Sequence, residues 1–231
     1  MLFGMHWDTT GGMLTFAWSI LPILLVGLKV TLEATVLGFL LALTLGLLFA
    51  LLQGIRLRII SWPVRFVVEF LRDTPLLVQL FFLFYVLPGF GLSLPAFAIG
   101  TLALGAQYSA YCAEIYRAGI EAVGRGQWEA ARALDLDRWT TYKDIILPQA
   151  IPRIIPALGT YLVSMIKDAP LLSAISVLDM LAAANIIGGQ TYNYLIPLTL
   201  VGALFLLTTL VVSYLVHRLD RWLPKSGIPL K

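Results

Sequence analysis

The 231-residue sequence predicts an all-α integral membrane protein with five transmembrane helices, and three observations carry that prediction. Hydrophobic residues make up 59% of the chain and charged residues only 13%, against about 25% charged in soluble proteins, and mean hydropathy is +0.88. The apolar residues fall into blocks long enough to cross the roughly 30 Å hydrocarbon core of a bilayer. The basic residues fall almost entirely on alternate connectors, the asymmetry that the positive-inside rule describes.

Residues 1–18 carry no basic stretch and no cleavage pattern before the first apolar block, so this segment is expected to lie outside and the first span to be retained. Residues 19–52 are nearly continuous apolar sequence; as one helix they would be about 50 Å long, which demands tilt or protrusion. Lys29 and Glu33 interrupt that block four residues apart on one face, able to pair in the less favourable order. Gly38, Ala42 and Gly46 continue at the same spacing as a small-residue stripe, read as close helix packing in preference to a ligand role. A basic connector with Arg56 and Arg58 leads to Pro63 and a second span over 64–87, which contains Glu69, Arg72, Asp73 and Thr74 followed by Pro75. An uncharged Gly- and Pro-containing connector, 88–95, precedes a third span over 96–116, where Gly105, Ser109 and Ala113 make another small face and Glu114 stands near the end. Residues 152–187 read as one fourth span broken at Lys167, Asp168 and Pro170, because proline removes a backbone donor and pushes its predecessor out of the helical region. An uncharged turn over 188–193, a fifth span over 194–216 and a basic tail over 218–231 complete the chain.

Of 16 Lys and Arg, three lie in 53–65, six in 117–153 and four in 218–231; Lys29, Arg72 and Lys167 fall inside spans. All the connector charges are then on one side, which puts the N-terminus outside and the loop 117–151 and the tail in the cytoplasm. The single cysteine, Cys112, excludes an internal disulfide and cannot make a zinc site alone. No phosphate-loop, His-Glu-x-x-His or Gly-x-Ser-x-Gly pattern is present, and His6 and His217 stand at opposite ends, so no catalytic residue and no metal site is expected. Residues 130–143 loosely resemble a helix-turn-helix, but Arg132, Arg138 and Lys143 face Glu129, Asp135, Asp137 and Asp144, a balance unsuited to nucleic acid.

Residues 126–148 are the longest run that could not sit in a bilayer. Trp128, Ala131 and Leu134, then Trp139, Tyr142 and Ile146, recur at helical spacing in two segments too short to hold shape alone in water, so their apolar faces need cover from the protein or a partner. The run also contains Glu129-Ala130-Ala131, Asp135, Ile145, Leu147 and Pro148. In this it resembles the membrane subunits of bacterial ABC importers, whose cytoplasmic loop carries Glu-Ala-Ala, a glycine after three residues, and Ile-x-Leu-Pro after nine more. Six of the seven positions agree, and the departure is Asp135 in the glycine place. Further stretches are similar to the polar amino-acid branch of that family: Phe70-Leu71-Arg72-Asp73-Thr74-Pro75-Leu76-Leu77-Val78-Gln79, Ala113-Glu114-Ile115-Tyr116-Arg117-Ala118-Gly119-Ile120, Leu147-Pro148-Gln149-Ala150 and Lys167-Asp168. Trp62-Pro63, Glu69-Phe70-Leu71-Arg72 and 148–153 also look like permeases of ectoine and hydroxyectoine uptake systems in the same branch.

The resemblance implies a type I importer permease of a bacterial inner membrane. It would work in a pair with a second permease subunit, the same chain or a different one. Each would dock on a cytoplasmic ATPase that binds ATP and magnesium, and an external solute-binding protein would deliver a small zwitterion such as a polar amino acid or ectoine. No cofactor is expected on this chain. Trp128, Glu129, Ala130, Ala131, Arg132, Asp135, Leu147 and Pro148 would couple to the ATPase, with Glu129 and Arg132 able to pair and Trp128 an apolar anchor. Asp135 would take the left-handed conformation of the glycine at a cost of about 1 kcal/mol, and Asp137 would cap the next segment. Charges inside spans are the substrate-path candidates: Lys167 and Asp168 foremost, at a helix break, then Glu33, Glu69, Arg72, Asp73 and Glu114. Arg72 with Asp73 reads first as a structural pair near the cytoplasmic end of the second span. The competing classes are a secondary transporter or channel working without ATP and a purely structural membrane subunit; the absence of an internal repeat argues against the former.

Overall fold

The computed structural model of the chain describes residues 2–8 and 11–222. Most of the 218–231 tail, from residue 223, and residues 1, 9 and 10 of the N-terminal segment lie outside that range. The described chain is an all-helical bundle whose elements are α1 (Met13–Gln53), α2 (Arg58–Asp73), α3 (Leu76–Phe81), α4 (Ala96–Glu121), α5 (Arg125–Ala133), α6 (Arg138–Thr140), α7 (Leu147–Asp168), α8 (Met180–Thr191) and α9 (Leu195–Trp222). A π-helical turn, Phe82–Val86, and a 3-10 turn, Leu87–Phe90, extend α3; a second π turn, Thr141–Ile146, joins α6 to α7, and a 3-10 helix, Ala169–Ile175, follows α7.

Among the described residues three helical stretches are long and apolar enough to cross a membrane: α1, the stretch Arg138–Ile175 that contains α7, and α9. A fourth arises if α2 and the stretch Leu76–Phe90 count as one bent span. α4 is long enough, but Gln107, Tyr108, Ser109 and Tyr111 lower its apolarity. Those polar groups are tolerated because α4 is enclosed by protein: Gln107, Tyr108, Ser109 and Ala110 are all buried.

The core is built on close backbone approach. α1 and α4 run parallel, and their small-residue stripes face each other. A methyl group on Gly46 would stand 2.6 Å from Cys112 Cβ and 2.8 Å from the Ser109 carbonyl, and one on Gly105 would stand 2.6 Å from Leu41 Cδ2. At the far end from the basic loops, α8 lies against the first half of α1. A methyl on Gly27 would meet the Met180 backbone at 2.7 Å, and Ile20, Ile23 and Leu24 bury themselves among Met180, Ala183, Ala184 and Ile187. At the basic end the Arg153 guanidinium donates to the Ala122 carbonyl, tying α7 to the end of α4.

Several expectations need correction. The second span is no straight helix over 64–87: its first helix begins at Arg58, and the chain turns by 104° between α2 and the stretch beginning at Leu76. Thr74 is extended at the break (φ −101°, ψ 138°) and Pro75 follows, the conformation that proline imposes on its predecessor. Residues 188–193 are no turn for the most part, because α8 continues to Thr191 and only Tyr192, with φ +53°, turns the chain. The break expected at Asp168–Pro170 does not open there: Ala169, before Pro170, stays helical (φ −55°, ψ −31°), the helix only tightens to 3-10 form as far as Ile175, and the chain leaves it at a left-handed Ser176 (φ +66°) before α8 starts on the Asp179 cap.

Candidate functional site

Midway along α4 the structure gathers polar and aromatic side chains from the Thr74–Pro75 break and from the end of α7. The Tyr108 hydroxyl donates to Asp168 Oδ2 at 2.7 Å, so α4 holds the carboxylate that ends α7. Tyr111 stacks on Tyr161 of α7 with ring centroids 5.1 Å apart, and Tyr108 meets both rings edge-on, at 5.8 Å from Tyr111 and 6.3 Å from Tyr161. The Arg72 guanidinium, at the end of α2, stands over the Tyr111 ring at 5.9 Å, an attraction worth about 0.5–2 kcal/mol. Gln79 of α3 closes the Thr74–Pro75 break: its Nε2 donates to Gln107 Oε1 at 2.6 Å and to Thr74 Oγ1 at 2.7 Å. A cation and a carboxylate thus share one aromatic cluster, beside the Thr74–Pro75 break and the change from α to 3-10 helix at Asp168. Asp168 is half-buried, while Arg72, Asp73 and Lys167 are exposed in the single chain.

The expected pair of Arg72 and Asp73 does not form among the described residues. Adjacent residues of a helix point about 100° apart, and Arg72 turns to Tyr111 instead. Lys29 and Glu33 do pair, at 3.6 Å, with 76% and 50% of their side chains exposed on the outer side of α1. Glu69 is exposed on α2. Glu114 belongs to the basic end, where it accepts from Arg117 at 3.2 Å, and Arg117 also reaches Glu121 and Gln53 Oε1.

The polar loop folds as two short segments. α5 closes with paired backbone bonds, Asp135 N to the Arg132 carbonyl and Leu136 N to the Ala131 carbonyl, both 3.0 Å, around a left-handed Asp135 at φ +51°. Asp137 caps α6, accepting from Thr140 N at 2.9 Å. Its hydrogen bonds with Thr140, through side chain and backbone, hold the carboxyl below the usual carboxylate value. Trp128 meets Tyr142 edge-on at 5.3 Å, and Ala131 and Ile146 are buried. Leu134 and Trp139, expected on the covered faces, are instead 71% and 73% exposed. The Glu129–Arg132 pair does not form either; Arg132 Nε donates to the Trp128 carbonyl. Leu147 and Pro148 open α7 and are exposed, as are Glu129 and Ala130. The loop therefore covers one side with the protein's own residues and leaves Glu129, Ala130, Leu134 and Trp139 outward.

Sequence reasoning passed over the three tyrosines, Gln79, Gln107 and Asp179. Asp179 is buried and caps α8 through Oδ1, accepting from Ala182 N at 2.8 Å, with Oδ2 lacking a partner. Its charge in an apolar run was the signal that marked Lys167 and Asp168, and it applied equally here.

Comparison with known proteins follows the same lines. A family model described as a binding-protein-dependent transport system inner membrane component matches residues 42–225. The chain is 57% identical, over the full length of both, to a probable amino-acid ABC transporter permease protein of Sinorhizobium fredii. It is 33% identical to a putative glutamine transport system permease protein of Rickettsia conorii, over 84% of this chain and 90% of that one. Among solved structures it is similar to the crystal structure of an amino acid ABC transporter with histidines, with 37% identity and a TM-score of 0.87 over 92% of this chain and 99% of that chain.

Proposed function

This chain belongs to the binding-protein-dependent transport system inner membrane components, and from that membership we propose that it is the membrane-spanning subunit of an ATP-driven importer of a polar amino acid or related small zwitterion. The observation that carries the reading is the loop α5–α6: folded onto the bundle by Trp128, Ala131 and Ile146, it presents Glu129, Ala130, Leu134 and Trp139 outward. Such a surface suits the groove of a cytoplasmic ATPase, which would bind ATP and magnesium; a second permease subunit and an external binding protein would complete the importer. The names of the relatives support an amino acid over ectoine as cargo. The test is capture. The chain should co-purify with a phosphate-loop ATPase, and uptake in vesicles should stop without ATP. The double variant Leu134→Asp, Trp139→Asp should lose the ATPase while its thermal unfolding stays unchanged. Uptake that persists without ATP would instead establish a secondary transporter.

The solute would sit at the tyrosine cluster, its cationic group on Asp168 and its anionic group on Arg72 or Lys167. Tyr108 occupies only one oxygen of Asp168, leaving the other for a charge-assisted bond. Loss of such a bond weakens binding by about 10- to 100-fold. Asp168→Asn should therefore raise the half-saturating solute concentration by that order in reconstituted vesicles, and unchanged uptake kinetics would remove Asp168 from the path.

A further inference from the structure

Where α1 turns into α2 at the basic end, the structure opens a basin of about 710 Å³ lined by Gln53, Arg56, Arg58, Trp62, Arg65 and Arg117. Arg117 is neutralised by Glu114 and Glu121. Arg56, Arg58 and Arg65 make no ion pair among the described residues. Gln53 forms part of the basin wall: it is 4% exposed, its side-chain oxygen is taken by Arg117 at 2.8 Å, and its Nε2 is enclosed without a hydrogen-bond partner among the described residues. Three guanidinium groups without an ion pair lining one basin describe a site for a multivalent oxyanion.

We propose that this basin holds the phosphate headgroup of an acidic phospholipid from the leaflet at the basic end. The neighbouring surface of α2 selects a lipid over a free phosphate. At helical spacing, Trp62 stands between the edge that carries Arg58 and Arg65 and an edge that carries Ile59, Phe66 and Phe70, all of them exposed. Tryptophan at such a boundary is the usual marker of the headgroup level, and an apolar stripe running away from it is a bed for acyl chain. Basic pockets between helices on the positive side of a membrane bind anionic headgroups in this way. The lipid would bridge α1, α2 and α4.

The test reads lipid, independently of transport. The full-length chain is reconstituted in phosphatidylcholine with or without phosphatidylglycerol, extracted, and weighed with its retained lipid by native mass spectrometry. The expected result is selective retention of phosphatidylglycerol. Arg58→Gln and Arg65→Gln should each lower retention by about fivefold. Arg65→Lys should keep most of it, and Arg218→Gln, outside the basin, should change nothing. Thermal unfolding identifies any variant that misfolds, and Arg65→Lys against Arg65→Gln then decides within one position. The proposal is overturned by retention indifferent to the basin variants, or by an equal loss in Arg218→Gln, which would mean diffuse surface charge. Displacement of the lipid by glycerol 3-phosphate would make the site one for a soluble phosphate. Loss of the lipid on binding of the ATPase would assign the arginines to that partner.

Discussion

Asp135 and Asp137 show how two neighbouring carboxylates take different work. Asp135 holds φ +51° while Leu136 N reaches back to Ala131; a non-glycine residue pays about 1 kcal/mol for that conformation. Asp135→Gly should stabilise the loop by about that amount, seen as slower amide exchange at Leu136, and leave ATP-driven uptake intact or improved. A large loss of uptake would mean that the carboxylate itself touches the ATPase. Asp137 is bound by Thr140, which lowers its folded-state pKa beneath the ordinary value near 3.8. The cap therefore contributes fully above that ordinary value and is lost as pH falls through the lower folded one. Exchange protection of the Thr140 amide should fade over that acidic window in the native chain and stay flat in Asp137→Asn, which caps without titrating.

At the scale of helices, the packing of α1 on α4 predicts a ranking. Alanine at Gly46 would collide with backbone at 2.8 Å as well as with Cys112 Cβ, whereas at Gly38 the nearest atom is the mobile Met165 Cε, and at Gly202 there is open space. Gly46→Ala should cost about 1–3 kcal/mol, Gly38→Ala less, and Gly202→Ala nothing, as measured by thermal unfolding in detergent. These stripes were legible in the sequence because a four-residue spacing of small residues fixes which face packs. The angle at Thr74–Pro75 was not: proline announces a break, but the 104° turn is set by Gln79 reaching both Thr74 and Gln107 across 28 residues. α8 was misread for a similar reason, since an apolar helix against α1 has the composition of a span end. Asp168 could be found as a charge in oil, yet Tyr108, Tyr111 and Tyr161 could not. Tyrosine is at home in apolar helices, and only the contact of α4 with α7 brings these three together.

For the whole molecule, the arrangement of charge makes a topological prediction. Cys112 is fully buried and supplies a silent background. A membrane-impermeant maleimide should label Ser93→Cys in intact cells and Asp144→Cys only after permeabilisation, both positions being exposed; the reverse pattern would invert the chain. The small-residue seam holds α1 against α4 at backbone distance. The Thr74–Pro75 break and the change from α to 3-10 helix at Asp168–Pro170 border the cluster that links Arg72 to Asp168 through the tyrosines. A zwitterion clasped there would bear on both points at once. Cargo occupancy and gate angle would then be one variable, and a solute too short to reach both charges would bind without opening the way through.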